Sequence, residues 1–304
     1  MTGAVLRVGT RASALARAQT AQTIAPLGAG VEIVPVVTHG DRSAAPLARL
    51  GGTGVFVSAL RDALLGGLID VAVHSFKDLP TEPAAGVALA AVPPREDPRD
   101  ALVARDGLTL AELPAGARVG TGSPRRAAQL LAARADLAVV AVRGNVDTRL
   151  GKVGGELDAV LLALAGLTRL GRADAVTDLL DPLSFLPAPA QGALAIECRS
   201  DDAATRVALA RLDHPDTRAA ACAERAVLAG LRAGCTAPVG ALATVLAAPA
   251  DRRLVLNGSV TRPDGGFAVT GSATGPITDA EAIGRRLAAD LLARGADTIL
   301  GRLP

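Results

Sequence analysis

Short hydrophobic runs alternate with helix-like segments along the first two thirds of the chain. Val31–Val37 is rich in β-branched residues and predicts a strand, and the apolar runs Ile69–Val73 and Val87–Val92 predict two more. Val55–Leu68 carries its apolar residues at helical spacing and predicts a helix. Because strands that alternate with helices form mainly parallel sheets, the pattern predicts an α/β fold.

Two sequence repeats indicate that this arrangement occurs twice. Arg7-Val8-Gly9-Thr10 returns as Arg118-Val119-Gly120-Thr121, and each copy leads from a strand-like run into a helix-like run. Ile69-Asp70-Val71-Ala72 is echoed by Leu157-Asp158-Ala159-Val160. The exposed N–H groups at the start of each helix favour an anion. We therefore expect two related lobes that face one negatively charged ligand.

Proline-rich segments mark where the chain crosses between the lobes. Pro93-Pro94 and Leu186–Pro189 are the predicted crossings, and Ala193–Glu197 predicts a strand that completes the first lobe. Beyond His214 the pattern changes to two helices and a hairpin around Pro263–Gly266. The expected domains are lobe 1 (1–93 with 192–212), lobe 2 (98–187) and a small α+β C-terminal domain (215–304).

Composition and charge narrow the classes of function. Aromatic residues make up only 1% of the 304 residues, with no Trp or Tyr, so a stacking platform for single-stranded nucleic acid is not expected. The net charge of +2 is too balanced for a general polyanion binder. No apolar run reaches membrane-spanning length, and no signal sequence is recognisable. We expect a cytoplasmic protein that binds neither nucleic acid nor membranes.

The three cysteines predict reduced thiols rather than disulfides. Cys198, Cys222 and Cys235 are an odd number and lack metal-ligand spacing, so no metal site is expected. Cys235 stands in the tight turn Gly234–Gly240 with no histidine in that segment, which gives no local support for a cysteine–histidine nucleophile. On local sequence alone, a buried and inert thiol is the default for a lone cysteine, and Cys198 and Cys222 fit that default, whereas the turn at Cys235 is exposable.

The segment His74–Pro80 carries the first group of candidate functional residues. It follows a buried strand, and ligands of open α/β sheets bind beyond the carboxyl ends of strands. Lys77 and Asp78 are therefore expected at the floor of a cleft, where Asp78 could stabilise a developing cation or relay a proton. A helix-capping aspartate beside a solvated lysine explains the same residues, and both interpretations stay open.

Arginines of the second lobe form another candidate group. Arg125, Arg126, Arg143 and Arg149 lie near predicted element ends, and guanidinium groups bind carboxylates through two parallel hydrogen bonds. Such a set is suited to a multivalent anion. The alternative is a set of surface arginines paired with acids such as Asp136.

Seven motifs run in order along nearly the whole chain and together are similar to one known family. They are Val8–Ser13, Thr38–Asp41, Ala72–Pro80, Arg95–Ala101, Arg143–Leu150, Ala190–Ala193 and Gly234–Gly240. The His-Ser-x-Lys-Asp-x-Pro and Arg-Gly-Asn motifs are the most specific. In these motifs the chain resembles the porphobilinogen deaminases, also called hydroxymethylbilane synthases.

The resemblance implies two lobes like those of type II periplasmic binding proteins, with mixed, mainly parallel sheets and a hinged cleft, plus a third domain. It implies a transferase of haem and tetrapyrrole biosynthesis that deaminates porphobilinogen and joins it head to tail into hydroxymethylbilane. A dipyrromethane cofactor, attached to Cys235 by a thioether, would prime the chain. A monomer is expected.

The resemblance also assigns site residues. Asp78 matches the catalytic carboxylate. The positions that match contacts to cofactor or substrate are Arg11, Ser13, Gln19, Lys77, Ser123, Arg125, Arg126, Arg143, Arg149, Arg169 and Gln191. The chain departs from the family at Thr53 and Ser58, where lysine is frequent, and at Gly122 and Pro124, where serine and leucine are frequent. A two-lobe module that binds an anion or solute without catalysis is the alternative, and it would need neither Asp78 nor Cys235.

Overall fold

The computed structural model describes residues 5–28, 30–36, 57–234, 236–246 and 252–301. The Thr38–Asp41 motif, Thr53 and Cys235 lie outside these ranges. The chain divides into two compact units, Met1–Glu96 with Ala193–Arg218 and Asp97–Gly192 with Ala219–Pro304. The expected boundaries of three domains stay a prediction.

Strands and helices follow one another in the order that the hydrophobic pattern indicates. The strands are β1 (Leu6–Arg11), β2 (Val31–Val36), β3 (Val71–Ser75), β4 (Val87–Ala91), β5 (Asp100–Ala104), β6 (Arg118–Thr121), β7 (Ala138–Ala141), β8 (Ala159–Ala163), β9 (Asp178–Leu179), β10 (Leu194–Arg199), β11 (Val239–Leu246), β12 (Arg253–Thr261) and β13 (Ala268–Pro276). The helices are α1 (Ala14–Ile24), α2 (Ser58–Leu65), α3 (Pro124–Ala133), α4 (Val146–Leu150), α5 (Leu164–Arg169), α6 (Ala203–Ala210), α7 (Pro215–Gly230), α8 (Ala280–Ala293) and α9 (Ala296–Ile299). Within the described ranges, no helix is long and apolar enough to cross a bilayer.

The first unit is built on a five-stranded sheet with the order β2-β1-β3-β10-β4. β1 pairs in parallel with β2 and β3, and β10 runs antiparallel to both β3 and β4. The prediction that a late strand completes the first lobe is therefore confirmed. Val8, Val71 and Ile196 from three neighbouring strands are fully buried in its core. Helix α2 ends three residues earlier than predicted because Gly66-Gly67 follow it, and Gly67 adopts a φ of +70°.

The second unit contains a sheet with the same topology, in the order β7-β6-β8-β5-β9. Here β6 pairs in parallel with β7 and β8, and β5 runs antiparallel to β8 and β9. Each position of the first sheet thus has a counterpart in the second, including the single antiparallel strand. This repeated order confirms the two related lobes of mixed, mainly parallel sheet.

Packing at one glycine in each lobe explains why the repeated motif is so similar. A Cβ on Gly9 would lie 2.3 Å from Ile69 Cδ1, and one on Gly120 would lie 2.5 Å from Leu157 Cδ1. Neither position has room for a larger residue, because real Cβ atoms do not approach carbon so closely. Ile69 therefore packs on β1 in the first lobe in the same way as Leu157 packs on β6 in the second.

The second unit also contains a three-stranded antiparallel sheet, β11-β12-β13. β12 and β13 are joined by the hairpin predicted around Pro263–Gly266, and α8 covers the sheet. Leu254 and Leu256 of β12 pack with Ile283 and Leu287 of α8, and all four are almost fully buried. At about 25 cal/mol per Å² of buried apolar surface, such side chains stabilise this sheet–helix pair by roughly 2 kcal/mol each.

Candidate active site

The two repeated corners place a serine at the start of a long helix in each lobe. Ser13 caps α1 by accepting a hydrogen bond from the Ala16 N–H at 3.3 Å, and Ser123 caps α3 by accepting one from the Arg126 N–H at 3.4 Å. These caps satisfy helix N–H groups that have no partner inside the helix. Each hydroxyl accepts through a lone pair and keeps its own proton for donation, so both serines are able to bind an anion as well.

Two of the departures from the family pattern fit the second corner. A Cβ at Gly122 would lie 2.7 Å from the Val142 carbonyl oxygen, so the serine that is frequent at this position would force the two segments apart. Pro124 occupies the first turn of α3, where its missing N–H costs nothing. Ser58 is the exposed first residue of α2. Thr53 lies outside the described ranges.

Asp78 lies just beyond the carboxyl end of β3, as predicted. β3 leads into the short 3₁₀ turn Phe76–Asp78, and the Phe76 N–H donates to the Ala193 carbonyl at 3.0 Å, which ties this turn to the segment before β10. The half-buried carboxylate makes no hydrogen bond or ion pair with any residue in the described ranges. The alternative of a helix-capping aspartate is wrong, because Asp78 caps no described helix. Lys77 beside it is half-buried.

Buried charges support the strand that carries this turn. Arg61 Nη2 lies 2.6 Å from Glu197 Oε1, and His74 Nε2 lies 3.3 Å from Glu197 Oε2. Burial raises the pKa of Glu197, but the contacts with His74 and Arg61 outweigh that effect and lower the pKa to about 2. Next to His74, the Ser75 hydroxyl donates to Gln19 Oε1 at 3.2 Å. β3 is thereby joined to α1, α2 and β10 at its carboxyl end.

The arginine pair of the second lobe is buried on a carboxylate that sequence reasoning missed. Asp100 is fully buried, with Oδ2 2.7 Å from Arg125 Nη1 and Oδ1 2.7 Å from Arg126 Nη2. The alternative of surface arginines paired with Asp136 is wrong for these two, because Asp136 pairs with Arg134 at 2.7 Å. Only the motif Arg95–Ala101, which contains Asp100, signalled it in the sequence.

Two further predicted residues lie beside this pair. The Gln191 side-chain amide donates to Asp100 Oδ1 at 2.8 Å, and its oxygen accepts from Arg126 Nη2 at 3.3 Å. Arg169 donates to the carbonyl oxygen of Gly192, the residue after Gln191, at 2.7 Å. The structure therefore brings together Arg125, Arg126 and Gln191, with Arg169 bound to the adjacent backbone.

Arg143 and Arg149 complete a concentration of positive charge. Neither pairs with a carboxylate within the described part of the chain, and Arg149 Nε donates to the Gly144 carbonyl at 2.9 Å. Burial lowers the pKa of Arg149, and the nearby charges of Arg126 and Arg143 lower it further. Arg143 Nη1 is buried with no hydrogen-bond partner among the described residues. Cations gathered in this way fit a ligand that carries several carboxylates.

The predicted site residues therefore fall into two sets, one in each unit. The first set lies at the ends of β1 and β3 and on α1, and consists of Arg11, Ser13, Gln19, Lys77 and Asp78. The second surrounds the start of α3 and consists of Ser123, Arg125, Arg126, Arg143, Arg149, Arg169 and Gln191. Sequence reasoning missed Asp100 and the Arg61–Glu197 pair, whose members lie far from their partners along the chain.

Family models and full-length relatives match nearly the whole chain. Residues 6–207 match the family model "Porphobilinogen deaminase, dipyromethane cofactor binding domain", and residues 219–293 match "Porphobilinogen deaminase, C-terminal domain". Porphobilinogen deaminase 1 of Streptomyces coelicolor is 55% identical over 99% of both chains. The porphobilinogen deaminase of Mycobacterium tuberculosis is 52% identical, over 97% of this chain and 98% of its own.

Solved structures include more distant matches. An arginine-specific periplasmic binding protein of Salmonella typhimurium is 17% identical and covers 69% of this chain and 92% of its own, with a TM-score of 0.39. The two family models together span both lobes and the C-terminal sheet. With these models and the full-length relatives above 50% identity, the chain belongs to the porphobilinogen deaminase family.

Proposed function

We propose that Asp78 is the catalytic carboxylate of this porphobilinogen deaminase and that its arginines bind the carboxylates of substrate and cofactor. The enzyme belongs to tetrapyrrole biosynthesis and has a dipyrromethane cofactor-binding domain. That activity replaces the alternative of a binding module without catalysis. The observation that carries our assignment is that Arg126, Arg143 and Arg149 lie close together. Within the described residues, neither Arg143 nor Arg149 pairs with a carboxylate of the protein.

The second unit supplies most of the proposed carboxylate contacts. Each pyrrole carries an acetate and a propionate, so a growing oligopyrrole presents many negative charges. Arg143 Nη1 is a buried donor without a described partner, and a carboxylate oxygen would satisfy it. Guanidinium groups gathered in a partly desolvated site bind carboxylates more strongly than the same groups in water. Ser123, Arg169 and Gln191 belong to the same proposed set.

The dipyrromethane cofactor, when bound, supplies the pyrrole carbon on which the chain grows. We place its thioether on Cys235, by resemblance to the family. Of the described residues on either side of that position, Ala237 donates its N–H to the Gly234 carbonyl at 3.0 Å. The buried donor of Arg143 and the partly desolvated cation of Arg149 are chemically suited to this group's acid side chains.

The first unit supplies the proposed chemistry. The carboxylate of Asp78 stabilises positive charge on a pyrrole nitrogen as ammonia leaves and holds or passes a proton during bond formation. Both of its oxygens are available for this role, because no described residue engages them. The hydrogen bond between Phe76 N–H and the Ala193 carbonyl fixes the turn that carries it. Arg11, Ser13, Gln19 and Lys77 are the proposed polar contacts around it.

Two properties accompany this proposal. We place the enzyme in the cytoplasm, because Cys198 is a free thiol in the structure and a reducing compartment preserves such a thiol. We also propose that it acts as a monomer. Cell fractionation tests the first property and light scattering of the purified enzyme tests the second; membrane-bound material or a stable dimer would contradict them.

Replacement of Asp78 tests the catalytic role. Asp78→Asn keeps the size of the side chain and removes its charge, so the variant is expected to fold and to retain the cofactor, as measured by mass. Its rate of ammonia release is expected to fall at least a hundredfold, because loss of a general acid–base group lowers the rate by about 10²–10⁴. Asp62→Asn, an exposed carboxylate on α2, is the matched control and is expected to keep full activity. Near-normal ammonia release by Asp78→Asn would refute the assignment.

A further inference from the structure

We infer that Asp100 is a positioning residue that holds the guanidinium of Arg126 at the carboxylate-binding site, while Arg125 balances its charge. This inference rests on the proposed function, in which Arg126 binds carboxylates of substrate or cofactor. It gives three neighbouring buried charges different tasks: Arg126 contacts the ligand, Asp100 orients Arg126, and Arg125 keeps the buried charges balanced.

The hydrogen bonds of Arg126 show how its orientation is fixed. Its Nε donates to Asp100 Oδ1 at 2.9 Å, its Nη1 to the Leu161 carbonyl at 3.2 Å, and its Nη2 to Gln191 Oε1 at 3.3 Å. Nη2 also lies 2.7 Å from Asp100 Oδ1, so of the five N–H donors of the guanidinium one, on Nη1, remains for a ligand. The Arg126 residue is only 6% exposed, so a small rotation would hide that donor. Asp100 supplies the charged contact that prevents the rotation.

Nη1 of Arg125 is engaged by the protein, whereas its Nε is buried without a hydrogen-bond partner among the described residues. Its Nη1 donates to Gln129 Oε1 and to the Leu186 carbonyl, each at 2.8 Å, and lies 2.7 Å from Asp100 Oδ2. The guanidinium carbon lies 5.9 Å from the centre of the Phe185 ring, and the residue is 2% exposed. Its positive charge therefore acts mainly on Asp100.

The charge states agree with this arrangement. Burial raises the pKa of Asp100, but the charges of Arg125 and Arg126 outweigh that effect and hold the pKa below its ordinary value. Asp100 is therefore ionised at neutral pH. Two guanidinium groups and one carboxylate leave a net charge of about +1 in this cluster, available to attract an anion.

The internal repeat shows that the lobe fold itself does not require Asp100. Asp100 lies opposite Ala163 in the second sheet, and the equivalent strand position of the first sheet, opposite Ser75, is Leu194. The second and third residues of α3 are Arg125 and Arg126, whereas those of α1 are Leu15 and Ala16. The lobe with the arginine pair therefore also has the aspartate, and the other lobe has neither an aspartate nor an arginine at the equivalent described positions.

Substrate affinity separates positioning from simple charge balance. Asp100→Asn adds one positive charge to the cluster, so an enzyme in which Asp100 only weakened the positive field would bind porphobilinogen more tightly. With a positioning role, KM for porphobilinogen rises about tenfold, as expected for the loss of one charge-assisted hydrogen bond, and kcat changes less. A purely structural role would lower the melting temperature and leave the KM of the folded enzyme unchanged.

The experiment measures KM, kcat and melting temperature of full-length enzyme with cofactor loading checked by intact mass. Asp136→Asn is the control, because it makes the same change in charge at an exposed pair with Arg134 and is expected to leave KM unchanged. The double variant Asp100→Asn/Arg125→Gln restores the original net charge. We expect its melting temperature to return toward that of the wild type and its KM to stay raised.

Each result decides the inference. An unchanged or lowered KM in Asp100→Asn overturns it, and so does a double variant whose KM returns to the wild-type value. If Asp100→Asn does not fold, the charge-balanced double variant is judged by the same criterion. The variant Arg126→Gln separates the two proposals. If KM is raised in Arg126→Gln and normal in Asp100→Asn, only the positioning role of Asp100 is refuted. If KM is normal in Arg126→Gln, Arg126 does not bind the substrate or cofactor, and the inference fails with that proposal.

Discussion

Replacement of the buried Glu197 by glutamine gives a pH-dependent stability change whose size follows from the structure. The Glu197 side chain is 5% exposed and interacts with Arg61 at 2.6 Å and His74 at 3.3 Å. Its pKa is about 2 in the folded enzyme, against 4.5 as the ordinary value. A difference of about 2.5 pKa units corresponds to about 3 kcal/mol of folding free energy at neutral pH. Loss of one partner from a buried ion pair costs a similar amount.

The sign of the pH dependence follows from the lowered pKa. The folded protein holds the charged form more strongly than the unfolded chain does, so the stabilisation is complete above the unfolded pKa of about 4.5 and is lost as the pH falls toward 2. Glu197→Gln carries no such charge at any pH. The difference in unfolding free energy is therefore expected to be about 3 kcal/mol at pH 7 and about 2 kcal/mol near pH 3.5.

Urea unfolding followed by circular dichroism at pH 7, 5 and 3.5 measures this difference. Asp264→Asn is a matched control: Asp264 also has a pKa of about 2, chiefly through hydrogen bonds from Arg262, but the pair is exposed. Solvent screens exposed pairs, so this variant is expected to unfold nearly as the wild type does. Equal stability of Glu197→Gln and wild type at pH 7, or a difference that grows as the pH falls, would refute the reasoning.

Two further predictions concern packing and charge. Gly120→Ala is expected to destabilise the enzyme by about 1–3 kcal/mol in urea unfolding, because its Cβ would lie 2.5 Å from Leu157 Cδ1. Gly155→Ala, where nothing lies within 4 Å of the new Cβ, should leave stability nearly unchanged, and equal effects of the two variants would contradict the packing argument. Arg143→Leu is expected to raise the KM for porphobilinogen and to weaken the dependence of KM on salt, because a screened charge is removed. A wild-type salt dependence in that variant would exclude Arg143 from the carboxylate contacts.

Local sequence was sufficient to predict the repeated corners of the fold. A glycine on the strand, a serine cap and a helix follow one another within a few residues in Arg7–Ser13 and Arg118–Ser123, and each acts on its immediate neighbours. The position of Asp78 was also predictable, because a buried apolar run ends just before it. Periodicity was less reliable for where α2 ends, since the paired glycines after it closed the helix early.

The buried charges could not be predicted because their partners are distant in the sequence. Arg61 and Glu197 are 136 residues apart, and Asp100 is 26 residues from Arg126. Arginine is ordinarily exposed, so the sequence favoured a surface or ligand-facing location for Arg125 and Arg126. Their burial depends on Asp100 being brought under the helix start by the antiparallel strand β5, which is a property of the folded sheet.

The intact mass of the purified enzyme tests most directly the claim that a covalently held, acid-bearing primer is bound by this set of arginines. We predict that the wild type and Cys222→Ala weigh more than their polypeptides by one dipyrromethane, and that Cys235→Ala weighs only as much as its polypeptide and is inactive. An active wild-type enzyme with the bare polypeptide mass, or a Cys235→Ala variant that keeps the added mass, would contradict the account.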